Sequence, residues 1–106
     1  MADYTLLSSR DPVGSDPLVH QLAVDLAKAG HTVTLFLVEN GTFLARVGVF
    51  PEVREALLAA GVEVLADDFA LAERGILDGA LAPGVLPSSL ERVVDDLAAG
   101  RRVSWH

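Results

Sequence analysis

Three times in this chain a helical pattern runs into Ala-Gly and passes at once into a strand pattern, at Gly30, Gly61 and Gly100. A glycine after the last helical turn lets the backbone turn left-handed and end the helix, and the apolar or β-branched residues beyond it favour extended pairing. Few architectures accept helix and strand in strict alternation. Consecutive strands then lie parallel, and each helix crosses a face of the sheet. The expected fold class is therefore α/β, with a mostly parallel sheet of about five strands and helices on both faces.

In chain order, Tyr4 to Ser8 reads as a first strand and Ser9 to Asp16 as a polar loop. Asp16 is then an expected N-cap, with Pro17 opening a helix whose Val19, Leu22, Ala23 and Leu26 recur at helical spacing and should face the sheet. His31 to Val38 is the second strand. In the turn after it, Glu39-Asn40-Gly41, both Asn40 and Gly41 can take positive φ. Thr42 to Arg46 fits one helical turn, and Pro51 starts a helix with the apolar stripe Val53, Ala56, Leu57 and Ala60. Val62, Val64 and Leu65 then form a buried strand that runs into a short helix ended by Gly75, with Asp67 and Asp68 at the seam. A short strand around Val85 follows. Ser88-Ser-Leu-Glu91 is a capping-box signature, ahead of an amphipathic helix carrying Leu90, Val93, Val94 and Leu97. Arg101 to His106 closes as a strand. No linker or repeat divides the 106 residues, which are expected to form a single domain over 1–106.

Composition narrows the function classes. A net charge of −7 without a Lys or Arg cluster disfavours nucleic acid and anionic membranes as partners. Hydrophobic residues make up 51% of the chain, rich for its size, and a subunit interface is the natural use of the excess. No apolar run approaches a membrane span, and the first residues lack the layout of a signal peptide, so a cytoplasmic location is expected. The cysteine count is zero, which removes disulfides, thiolate metal sites and thiol nucleophiles together.

The ordered set Tyr4-Thr-Leu-Leu-Ser-Ser, Leu26-Ala-Lys-Ala-Gly-His-Thr-Val-Thr-Leu-Phe-Leu, Glu39-Asn-Gly, Gly61-Val-Glu-Val and Glu73-Arg-Gly-Ile76 resembles the DsrE/DsrF-like sulfur-relay family over nearly the whole chain. The resemblance implies a flavodoxin-like three-layer sandwich, oligomerisation and, in relay members, a persulfide-carrying cysteine after the third strand. The matching position here is Asp67, seven residues before Arg74-Gly75. A second cysteine of some relatives would fall at Ala70. The family's sulfur transfer therefore has no thiol to act through in this chain.

At a helix N-terminus the partial positive charge that would favour a thiolate favours a carboxylate equally, so capping is the commoner use of Asp67. Catalysis by Asp67 would need a positioned partner, which the sequence does not supply. Asp11, Asp16, Asp67 and Asp68 could gather as oxygen ligands for Mg²⁺, although no spacing among them is diagnostic. Ser8, Ser9, Arg10 and Ser15 could line an anion pocket before the first helix, but match no phosphate fingerprint. The three histidines share no zinc spacing. Trp105 suits either a core or an interface.

The candidate ligand-binding residues are thus Ser9, Arg10, Asp11, Asn40, Asp67, Asp68 and Arg74, with no cofactor, metal or catalytic residue expected. The leading expectation is a non-catalytic binding or assembly subunit, forming a homo-oligomer or a hetero-oligomer with a homologous subunit. An accessory subunit to a cysteine-bearing homologue in a sulfur-transfer complex is one alternative. An enzyme or small-ligand binder using acidic groups at the strand edge is the other.

Overall fold

The computed structural model describes residues 1–13, 18–76 and 78–106. Its strands are β1 (Asp3–Ser8), β2 (Thr32–Leu37), β3 (Glu63–Asp67), β4 (Val85–Ser88) and β5 (Arg102–Trp105). Between them lie α1 (Leu18–Lys28), a 3₁₀ segment (Glu39–Ala45), α2 (Pro51–Ala59), α3 (Asp68–Glu73) and α4 (Glu91–Ala98). The five strands form one sheet in the order 4-3-2-1-5, and every pairing is parallel. From β1 to β4 the chain steps in one direction, and α4 then carries it back across the sheet to β5. Right-handed crossovers in opposite directions put their helices on opposite faces. Accordingly Ala23 and Val24 of α1 and Leu57 of α2 pack with Leu6, Leu35, Leu37 and Val64 on one face. Leu7, Phe36, Val38 and Leu65 collect on the other, beneath Val93 of α4. The layering is that of a flavodoxin-like sandwich.

The glycine junctions behave as their positions require. Gly30, Gly61 and Gly100 all have positive φ, and the amide of the residue after each glycine reaches back: His31 to the Leu26 carbonyl, Val62 to Leu57 and Arg101 to Asp96, each within 3.1 Å. Gly75 closes α3 in the same way, with the Ile76 amide on the Leu71 carbonyl. These are Schellman ends, which satisfy orphan carbonyls and aim the chain directly into the next strand.

Several local expectations are corrected. On α1, Ala23 is buried and Val19 and Leu26 are partly so, but Leu22 is 39% exposed; His20 and Val24 take the inward places. Asp16 and Pro17 lie outside the described residues. On α2, Ala56 faces outward while Arg54 is buried, donating to the Leu44 and Val49 carbonyls at 3.1 and 2.9 Å. Backbone acceptors left by the irregular segment before α2 explain why a cation occupies that place. After β2 the positive φ falls on Glu39 rather than on Asn40 or Gly41, because the chain enters a 3₁₀ turn directly. The capping box does not form: Ser88 belongs to β4, and it is the Ser89 hydroxyl that accepts from the Glu91 amide, at 3.2 Å.

The arrangement of α4 is the feature that sequence periodicity did not reveal. Its inward side is charged. Asp96 is buried, accepting from the Thr5 hydroxyl at 2.7 Å and the Arg92 Nε at 3.0 Å, while Arg92 also donates to Glu63 at 2.7 Å. Arg101 adds a donation to Thr5 at 3.0 Å and lies 3.6 Å from Asp96. Thr5, Thr34 and Glu63 share one register row across β1, β2 and β3, so the helix seats its charges on a polar stripe of the sheet. Only Val93 of the apolar set meets the core. Leu90, Val94 and Leu97 point away from the sheet and are 50%, 64% and 59% exposed.

One row farther along, Trp105, Leu7, Phe36, Leu65 and Leu86 are aligned across all five strands on this same face. The middle three are buried. The two at the edges, Trp105 and Leu86, are 61% and 62% exposed. Exposed apolar side chains thus stand on α4 and at both edges of the sheet on this face.

Candidate functional site

The carboxyl ends of the parallel strands gather most of the candidate residues, because the loops and first helical amides open there. Asp67 ends β3 and caps α3, its carboxylate accepting from the Ala70 amide at 3.3 Å. The side chain is buried, with the residue 6% exposed. Burial pushes its pKa above the ordinary carboxylate value, and the Ala70 and Phe69 amides, which favour the charged form, offset this only in part. Asp68 and Glu73 raise it slightly further through their own negative charge. Asp68 itself is exposed.

Arg74, at the other end of α3, is tied to the 3₁₀ segment. Its Nε and Nη2 both donate to the Asn40 side-chain oxygen, at 3.1 and 2.9 Å, and its Nη1 donates to the Ala70 carbonyl at 3.3 Å. The guanidinium also lies 5.9 Å from the centre of the Phe43 ring. Asn40, Arg74 and Asp67 are therefore brought together around Ala70, but each is engaged in holding α3 in place. The 3₁₀ segment is in turn pressed onto β1. The Val38 amide donates to the Ser8 carbonyl, and Gly41 passes so close to that carbonyl oxygen that a Cβ would overlap it.

Where the strand order reverses, between β1 and β5, the Ser9 amide and hydroxyl both donate to the His106 carbonyl, at 3.0 and 2.9 Å. The His106 amide returns a bond to Leu7. Ser9 thus fastens β5 to β1. Arg10 is exposed, and the Asp11 carboxylate accepts from the Val13 amide at 2.8 Å. The anion pocket expected of Ser8, Ser9, Arg10 and Ser15 is not assembled by the described residues: Ser8 is buried, Ser9 is bonded to His106 and Ser15 lies outside them. Nor do Asp11, Asp67 and Asp68 gather; among the described residues no group of three or more His, Asp or Glu side chains is placed to hold a metal.

Chemically, Asp67 is the most perturbed carboxyl of this edge, yet among the described residues no side chain hydrogen-bonds to it. A general base or nucleophile needs a proton relay or an orienting partner within about 3 Å. What surrounds Asp67 is instead a helix end. Two features escaped sequence reasoning. One is the charged bed under α4. The other is a cleft of about 240 Å³ between α1 and α2, lined by His20, Gln21, Val24, Glu52, Val53 and Ala56. The His20 Nδ1 is buried there without a hydrogen-bond partner, and burial lowers its pKa. The apolar neighbours of His20 at helical spacing were the only signal available for its burial.

No family model matches the chain, and no curated protein matches it. Solved structures do. The ychN protein from E. coli superposes with a TM-score of 0.87 at 22% identity, covering 100% of both chains. The protein of unknown function MTH1491 from Methanobacterium thermoautotrophicum gives 0.86 at 16% identity, again over 100% of both. The conserved protein of unknown function BT1422 from Bacteroides thetaiotaomicron gives 0.75 at 15%, over 98% of this chain and 94% of the other. At these identities the likeness establishes a shared fold, one that the DsrE-like family also has.

Proposed function

We propose that this chain is a non-catalytic binding or assembly subunit, similar to DsrE-like sulfur-relay proteins but without the sulfur-carrying cysteine. The observation that carries this reading is α4, which seats its charges on the sheet and presents Leu90, Val94 and Leu97 outward. Three exposed apolar side chains on one side of a helix, on a chain of net charge −7, support a protein-binding role for that side. The strand edge supports the same reading from the other side, since Asp67, Asn40 and Arg74 are spent on fixing α3 and Ser9 on fixing β5.

Light scattering tests it. The wild-type chain is expected to run heavier than its 11.2 kDa, and Val94→Asp is expected to reduce the mass to that of one chain. Incubation with a persulfide donor should leave the intact mass of the washed protein unchanged. A covalent gain of sulfur, or a turnover lost on Asp67→Asn, would overturn the reading in favour of chemistry at the strand edge.

A further inference from the structure

The cleft between α1 and α2 lies on the side of the sheet away from α4, and one side chain in its wall is left incomplete by the fold. His20 is only 7% exposed, yet its Nδ1 is buried with no hydrogen-bond partner. Burial lowers the pKa of the ring, which is therefore neutral at pH 7 and carries one N–H and one lone pair. A sealed N–H without an acceptor is the rarer orphan, so the lone pair belongs on Nδ1 and the proton on Nε2. Among the described residues nothing accepts from Nε2. It is not sealed as Nδ1 is, and it is the nitrogen left to face the cleft.

The surroundings of this donor narrow the ligand. Val24 is buried and Val53 half-buried, which makes the floor apolar. Acceptors stand at the rim: Gln21 commits its amide nitrogen to Asp25 at 2.8 Å and keeps its side-chain oxygen, and Glu52 adds a carboxylate. A cation could bond to Glu52 but has no acceptor for the His20 N–H. An anion could accept that proton but would meet Glu52 and a chain of net charge −7. A hydroxyl accepts and donates through one atom and carries no charge. Since a cavity of about 150 Å³ holds benzene, one of about 240 Å³ has room for a body of that size with a short polar arm.

We propose that this cleft binds a small neutral alcohol, its apolar body against Val24 and Val53 and its hydroxyl accepting from His20 Nε2 while donating to an oxygen of Glu52 or Gln21. The site goes beyond the assembly reading and does not depend on it, because it lies across the sheet from the apolar side of α4.

Four probes of similar size separate the chemistries: benzyl alcohol, benzylamine, benzoate and toluene, each titrated by NMR into the isotope-labelled full chain. Benzyl alcohol is expected to shift the His20 ring and the Val24 and Val53 methyl signals saturably, and to bind about tenfold more tightly than the other three. The nitrogen shifts of His20 should show the proton on Nε2. His20→Phe keeps a ring without nitrogens and should bind benzyl alcohol no better than toluene. Ala56→Trp, at an exposed position of the wall, should close the cleft and abolish the shifts. Circular dichroism verifies both folds, and the probe series on the wild type decides the matter even if His20→Phe does not fold. Toluene, benzylamine or benzoate binding as tightly as benzyl alcohol overturns the hydroxyl assignment, and a proton on Nδ1 overturns the donor. Binding of benzyl alcohol unchanged by Ala56→Trp, or no saturable shift with any probe, overturns the site itself. None of these outcomes bears on the mass in solution, so failure here is distinct from failure of the assembly reading.

Discussion

Asp67 shows how one side chain can look catalytic and be structural. Its carboxylate gains the Ala70 amide but loses water, and the raised pKa says that the loss is the larger effect. Above the raised value the buried charge costs stability. Between the ordinary value of 3.8 and the raised one the folded state holds more protons than the unfolded, so this residue's contribution improves as pH falls through that window. Asp67→Asn keeps an acceptor for the cap without the charge, so at pH 7 it should be at least as stable as the wild type, with the advantage gone below pH 3.8. Asp67→Ala should lose about 1 kcal/mol at pH 7 through the missing cap. Urea unfolding at both pH values measures this; an Asn variant as weak as the Ala variant would mean that the charge itself is needed. Glu63 has the opposite sign. The hydrogen bond from Arg92, ahead of its burial, holds its pKa below the ordinary 4.5, so its stabilisation is present above that value and is lost as pH falls through the lowered one. Since the side chain is 47% exposed, Glu63→Gln should cost less than about 1 kcal/mol at neutral pH and nothing in strong acid.

At the scale of the element, α4 inverts the usual arrangement of a surface helix, and the inversion has an energetic consequence. Asp96 is buried with Thr5 and Arg92 bonded to it and Arg101 close by, so truncating it takes the acceptor from the buried Thr5 hydroxyl, leaves Arg92 with Glu63 alone as its carboxylate and removes the negative charge beside Arg101. Asp96→Ala is expected to cost about 3–5 kcal/mol, as for other broken buried pairs. Leu97→Ala should cost within about 0.5 kcal/mol when measured in the Val94→Asp background, where the helix has no partner. Thermal unfolding of the two variants decides the orientation: a larger loss for Leu97 than for Asp96 would mean that the apolar stripe faces the sheet. The charged bed also explains why Thr5 and Thr34 stand within otherwise apolar strands, since they supply hydroxyls for Asp96, Arg92 and Arg101 where a Val could not.

For the whole molecule, assembly through apolar side chains implies insensitivity to salt, because screening acts on exposed charges and not on buried hydrocarbon. The mass in solution should be the same at low and high ionic strength. Trp105, the one tryptophan, stands 61% exposed beside this face, so dilution past the dissociation point should shift its emission to the red. A mass that falls as salt rises would point to ionic contacts instead. Among the described residues no helix is long and apolar enough to cross a membrane.

The alternation of helix and strand, the glycine stops and the carboxylates at the end of β3 were legible in the sequence because each is local: a left-handed turn, a repeat of apolar residues, a cap. Parallel pairing followed from connectivity, since a helix lies between consecutive strands where a hairpin would need only a tight turn. The tertiary structure decided the rest. Periodicity reports that Leu90, Val94 and Leu97 share one side of α4, but not which side meets the sheet. That was settled by Thr5, Thr34 and Glu63, residues from three separate strands whose common row exists only once the sheet has formed. The fate of Ser9, Asn40 and Arg74 was hidden for the same reason, because the Ser9–His106 and Asn40–Arg74 contacts join elements that only folding brings to one edge. Burial likewise set the proton affinity of Asp67, a property of the space around it rather than of its neighbours in the chain.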